Sequence, residues 1–247
     1  MFAFLKNHPF AVEAHFESSI VLTFAAPEEQ LRHLIPECLE LDTFDDKWAF
    51  LAVAMVQTKG LRPKGFPQFL GNDFFLIGYR VFVRYTNNEG KRVRGLYILK
   101  SETDRRKMEY LGNAFTHYNY TTTDISHSTK GPVTTISSNK SGFEIKVAAG
   151  SEEEVDLPAD SPFTTWKEGR RFAGPLPFTF TFQSEKQSVL IIEGVRQDWH
   201  PAPISVISYE IPFLHSLGAA GVVLANAFRI DDIPYWWKKG RIETWKR

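Results

Sequence analysis

The chain has 247 residues, 43% of them hydrophobic, which is enough for a sizeable buried core. Its 29 basic and 29 acidic side chains cancel, so it lacks the electrostatic footprint of a nucleic-acid binder. The single cysteine, Cys38, excludes an intrachain disulfide, and with Glu37 and Glu40 close by it lacks the electropositive setting of a reactive thiol.

The opening MFAFLKNHPF has neither the basic start nor the long apolar stretch of a signal peptide. Ser19–Phe24 reads as a strand. Pro27 and the acids after it start a short helix with Leu31, Leu34 and Ile35 on one side, ended by Pro36. Leu39–Asp42 alternates as a half-buried strand, and Trp48–Gln57 is apolar enough to be buried on both faces. Leu61–Phe69, with two prolines and a glycine, is expected to be a loop. Phe74–Tyr85 and Val93–Glu102 flank Asn87-Asn88-Glu89-Gly90 as a hairpin. Asp104–Phe115 has helical spacing, with Thr103 or Asp104 as its cap. Tyr118–Ile125, Val133–Ser138 and Phe143–Val147 follow as strands, and the acidic Ser151–Pro162 as a loop. Phe178–Phe182, Val189–Arg196 and Ile204–Ile211 are strands, Pro212–Gly218 a helical turn, and Val222–Arg229 a last strand or helix. The longest apolar run, Gly218–Phe228, is too short to span a bilayer. The basic end (Lys238, Lys239, Arg241, Lys246, Arg247) reads as a solvated tail.

This pattern predicts one α+β domain over residues 1–247, mostly antiparallel and curled into a barrel, cytoplasmic and without a membrane partner. No GxGxxG follows a strand, and neither GxxxxGK[ST] nor GxSxG occurs. The seven histidines show no i,i+2 or i,i+4 pair, so no metal or other cofactor is expected.

Three segments carry a resemblance. Ala26–Leu41 (APEEQLRHLIPECLEL), the apolar strand Trp48–Met55 and the helix Asp104–Tyr118 resemble the acetoacetate-decarboxylase-like superfamily. Leu34–Trp48 and the strand Gly78–Val83 are similar to a bacterial group of uncharacterised proteins within it. The resemblance runs from about residue 12 to residue 230 and implies a cone-like, mostly antiparallel β-barrel with helices outside and a ligand pocket at its mouth. It also implies where catalysis would sit. In the decarboxylase two adjacent lysines end the turn after the helix, one forming a Schiff base and its neighbour lowering that amine's pKa. His117 and Tyr118 fall on those positions here, and no lysine occurs anywhere in Leu111–Ile125. A pocket glutamate of the family falls on Leu51. Schiff-base decarboxylation is therefore not expected.

Several residues are candidates for a site. On the strand Phe74–Tyr85 the odd positions are all apolar and must be buried, whereas Arg80 sits between Gly78 and Phe82 on the other face. If that face lines the interior, Arg80 needs an acidic partner or an anionic ligand. His117 and Tyr118 are candidates for acid/base work. Lys100 and Glu102 at a strand end, and His200 in Trp199-His200-Pro201, are further candidate ligand contacts. Three functions stay open: a barrel that binds a small, anionic organic ligand; an enzyme acting on a keto or carboxylate compound through His117 or Tyr118; and an oligomeric scaffold with a vestigial pocket. A homo-oligomer is compatible with each.

Overall fold

Long strands that are apolar on both faces need cover on both sides, and this chain solves that by closing its sheet. The computed structural model describes residues 4–150, 155–197 and 200–245. Its strands are β1 (Val12–Pro27), β2 (Glu40–Leu41), β3 (Trp48–Pro63), β4 (Asn72–Thr86), β5 (Arg92–Thr103), β6 (Tyr120–Thr122), β7 (Ser126–Lys130), β8 (Val133–Ser138), β9 (Phe143–Ala149), β10 (Phe178–Gln183), β11 (Ser188–Arg196), β12 (Ala202–Glu210), β13 (Val223–Trp237) and β14 (Arg241–Thr244). The α-helices are α1 (Glu28–Leu31), α2 (Arg106–Phe115), α3 (Trp166–Ala173) and α4 (Pro212–Ser216). The strand-dominated, mostly antiparallel α+β class expected from the sequence is observed.

Strands β13, β1, β3, β4, β5, β10 and β11 are neighbours in that order, and β11 pairs again with β13. The seven form a closed ring. Six of its seven contacts are antiparallel, and β10 lies parallel to β5. Closure rests on three residue pairs, Gly194–Trp237, Val195–Trp236 and Arg196–Tyr235. Strand β12 leaves the ring: Ala202 and Pro203 pair with β13, and Ile204–Glu210 pair with β9. Strands β12, β9, β8 and β7 make an outer layer.

Two cores follow from this layout. The inner one holds Val21, Phe50, Ala52, Ala54, Phe82 and Phe228, with Phe163 and Trp166 of the α3 region. The outer one packs Leu22, Leu51, Val53, Ile77 and Tyr79 against Ile136, Ile145 and Val147 of the outer layer. Every odd residue of β4 from Phe75 to Tyr85 is buried in the outer core. The period-two alternation thus separates inside from outside.

Some elements differ from the sequence expectations. Strand β3 runs on to Pro63 although Leu61–Phe69 reads as a loop; its far end pairs with β1 (Val12 with Pro63), and Gly60 at φ +60° absorbs the irregularity. Neither Thr103 nor Asp104 caps α2, whose N-cap is Arg105; Asp104 instead accepts from the Phe75 amide at 2.8 Å. Val222–Arg229 is strand, and longer than expected. Strands β7 and β14 and helix α3 have no counterpart in the sequence reading. Residues 151–154 of the acidic loop, Trp199, Lys246 and Arg247 lie outside the described residues. No helix among the described residues is long and apolar enough to cross a membrane.

One ion cluster ties α3 to the ring. Asp42 is fully buried and binds Arg84 and Arg94, two neighbours across β4 and β5. Arg94 also donates to the Phe172 carbonyl at 2.8 Å and stacks over the Phe172 ring. Removing the carboxylate leaves two arginines facing each other. Asp42→Ala should therefore lower stability by about 3 kcal/mol, read as a lower urea midpoint with an unchanged m-value. A shift under about 0.5 kcal/mol would mean that the cluster is solvated and contributes nothing.

Candidate functional site

The ring interior is not filled. All seven ring strands contribute to the lining of a cavity of about 140 Å³, among them Ser19, Ala52, Arg80, Ile98, Thr179, Arg196 and Tyr235. Small residues make the space: Ala52, Ala54 and Gly78 face inward where larger side chains would meet across the ring. Gly174–Pro177, after α3, forms one wall, and Tyr118 and Tyr120, after α2, form another. Gly112 of α2 lets the Tyr120 ring pack against the helix; a Cβ there would lie 2.3 Å from that ring.

Arg80 is the charged centre. Its guanidinium folds back over Gly78, and a Cβ on Gly78 would sit 3.2 Å from its Nε. Among the described residues Arg80 has no ion-pair partner, and its Nε has no hydrogen-bond partner. Part of its surface faces the cavity, yet it lies deep enough that burial lowers its pKa from the usual value. The titratable neighbours acting on it are the phenols of Tyr235, Tyr120 and Tyr118. Burial pushes the Tyr120 phenol up to about 12 and shifts Tyr118 and Tyr235 upward too, so all three are neutral near pH 7. They can donate hydrogen bonds but supply no counter-charge.

A second Gly-x-Arg lies across the ring. Gly78-Tyr79-Arg80 on β4 is matched by Gly194-Val195-Arg196 on β11. In the second, the space above the glycine is taken by Tyr235, whose hydroxyl lies 1.9 Å from where a Gly194 Cβ would be. Arg196 bonds that phenol and donates to the Pro175 carbonyl, and burial lowers its pKa as well. The Tyr118 hydroxyl is bonded to Thr179 Oγ1 at 2.8 Å.

The structure brings two of the candidate residues, Arg80 and Tyr118, into the cavity. A bulge sorts the others. Tyr79 pairs with Lys100 but Arg80 pairs with Ile98, so Leu99 is an extra residue on β5. That single residue inverts the facing of everything after it. Ile98 and Ser101 line the cavity, while Lys100 and Glu102 turn to the outer face. There Glu102 is buried, accepting from the Tyr79 hydroxyl at 3.0 Å and from Lys100 at 2.7 Å. His117 is half-buried but does not line the cavity; burial, then Lys6 and Lys186, lower its pKa, so its imidazole is neutral. His200 is exposed. Among the described residues no three His, Cys, Asp or Glu side chains are grouped to hold a metal. Burial pushes the Cys38 thiol up to about 12, which makes it inert. Tyr120, Arg196 and Tyr235 are among the lining residues that sequence reasoning did not single out; Gly-x-Arg also occurs at Gly60, Gly90 and Gly169, so the repeat alone does not mark Arg196.

A mostly antiparallel strand ring around a small cavity, with few helices, is the acetoacetate-decarboxylase-like fold. An acetoacetate-decarboxylase-like enzyme from Sphingomonas wittichii RW1 superimposes with a TM-score of 0.58 at 10% identity, over 97% of this chain and 94% of that one. The acetoacetate decarboxylase of Legionella pneumophila gives 0.56 at 11% identity, over 94% and 87%. The enduracididine biosynthesis enzyme MppR, complexed with pyruvate, gives 0.55 at 11% identity, over 95% and 90%. At such identities the likeness is one of fold. The chain itself belongs to the DUF2071 family, described as an uncharacterized conserved protein, whose profile matches residues 13–231. No curated protein sequence matches the chain.

A buried guanidinium without a counter-charge destabilises the empty protein. Arg80→Met, which keeps the length and removes the charge, should raise unfolding stability by about 1–2 kcal/mol, measured by urea denaturation without added anions. A fall in stability would mean that a compensating charge already holds the guanidinium.

Proposed function

We propose that this protein binds a small organic anion inside the strand ring, with the anionic group on Arg80 and without forming a covalent lysine adduct. The observation that carries this reading is Arg80, without an ion-pair partner among the described residues, at the wall of a cavity whose described lining residues include no carboxylate. A guanidinium in that position gains most from a ligand oxyanion, which restores both charge balance and hydrogen bonding. MppR, with a similar fold, has been captured with pyruvate, a small organic acid, and this is in keeping with the reading.

The lining also bears on chemistry. No lysine is among the described residues around the cavity, so among them an imine with a ketone has no amine to form on. Tyr118 is a protonated phenol there, already hydrogen-bonded to Thr179. His117, as acid or base, is not among the residues lining the cavity. The observations therefore favour a binding protein over a Schiff-base lyase.

Titration calorimetry with a panel of small carboxylates tests this. We expect saturable binding to the wild-type protein and a ten- to hundredfold loss in Arg80→Met, the size of one charge-assisted hydrogen-bonded contact at about 1.5–3 kcal/mol. Equal binding by both proteins would place the anion elsewhere and end the proposal. Borohydride added with β-keto acids should leave the protein's mass unchanged; a covalent lysine adduct would overturn the non-covalent part.

A further inference from the structure

The walls of the cavity say more about the ligand than its charge. Beside Arg80, Arg196, the three phenols and the hydroxyls of Ser19, Ser101 and Thr179, they are largely hydrocarbon: Val21, Val56, Leu96, Ile98, Ile230 and Ile233 surround the space. On the sheet, the two residues paired directly with Arg80 are Ala52 and Ile98, both apolar. Two of the three phenols already have partners, Tyr118 with Thr179 and Tyr235 with Arg196. A polar tail on the ligand would leave water to enter a space that offers it few free donors, and would gain little there. The size is limiting too. A cavity of about 140 Å³ is close to the roughly 150 Å³ apolar cavity that takes up a benzene molecule.

We infer that the ligand is a monocarboxylate with a compact hydrocarbon tail, aryl or branched alkyl, of about six carbons, whose carboxylate sits on Arg80 and whose tail fills the space between Val56, Ile98 and Ile230. This rests on the reading of Arg80 as an anion site and adds the chemistry of the other end. It separates the protein from sites built for short oxo-acids, in which the carbonyl must be met by a donor or an amine. Small inward residues serve the tail directly: Ala52 leaves the width that a ring or branch occupies beside the guanidinium.

The test is an affinity ladder by calorimetry with the full chain: acetate, isobutyrate and benzoate as apolar-tailed acids, and pyruvate, acetoacetate and succinate as polar ones. Affinity should rise about fourfold per added methylene, and benzoate should bind at least about thirtyfold tighter than either acetate or pyruvate. Val56→Phe, which fills the tail space, should lose benzoate while keeping acetate within about threefold; the wild-type ladder decides the matter by itself should that variant fold poorly. Pyruvate, acetoacetate or succinate binding as tightly as benzoate would overturn the hydrocarbon-tail inference and leave the anion site standing. Absence of binding by every acid, or binding indifferent to Arg80→Met, would overturn the anion site and this inference with it.

Discussion

Everything distinctive about this protein depends on the closure of β11 onto β13. Three residue pairs turn a run of neighbouring strands into a ring, and only a ring has an inside. Closure requires Gly194, because the Tyr235 phenol occupies the place of any larger side chain there. With the ring closed, the even residues of β4 face a common interior and the odd residues face the outer layer. An open sheet of the same strands would present Arg80 to water, where an unpaired guanidinium is ordinary. Inside the ring it becomes a charge without a counter-charge among the described residues, and the proposed anion site rests on that difference.

The charges divide accordingly. Asp42, which is fully buried, neutralises Arg84 and Arg94 and through Arg94 holds the end of α3 against the ring. Glu102 is buried on the outer face, balanced by Lys100 and bonded by Tyr79. Glu243 accepts from Tyr85 and from the Asn88 amide and pairs with Arg241. Each of these buried carboxylates has a cation beside it. Arg80 is the buried cation that lacks the corresponding carboxylate among the described residues. Among the described residues the chain balances these carboxylates and leaves Arg80 open, and that contrast supports the proposed anion site.

The bulge at Leu99 governs which residues belong to that site. Strand alternation from Ile98 alone would send Lys100 and Glu102 inward and would furnish the cavity with an amine and an acid. The inserted residue sends them outward and brings Ser101 in. The described interior of this fold, shared with acetoacetate decarboxylase, is arginine, phenols, hydroxyls and hydrocarbon, with neither amine nor carboxylate among the described lining residues. Shared architecture transfers the room but not its furnishings.

The amino-acid sequence determined what depends on neighbours along the chain. Alternation in Phe74–Tyr85 identified a buried apolar face and put Arg80 beside Gly78 on the other, and Asn87–Gly90 marked the hairpin that joins β4 to β5. The absence of lysine from the turn after α2 was equally plain. Helix α3 announces itself locally as well, through a Thr165–Glu168 cap, although its short, charged run hides the one face that packs inward. What only the tertiary structure decided is which face of each strand is inside, and which distant residues meet there. Tyr118, Arg196 and Tyr235 converge with Arg80 because four separate segments come together around one ring. The facing of Lys100 and Glu102 depends on a one-residue slip in pairing between strands, a property of two chain segments together that neither one encodes alone.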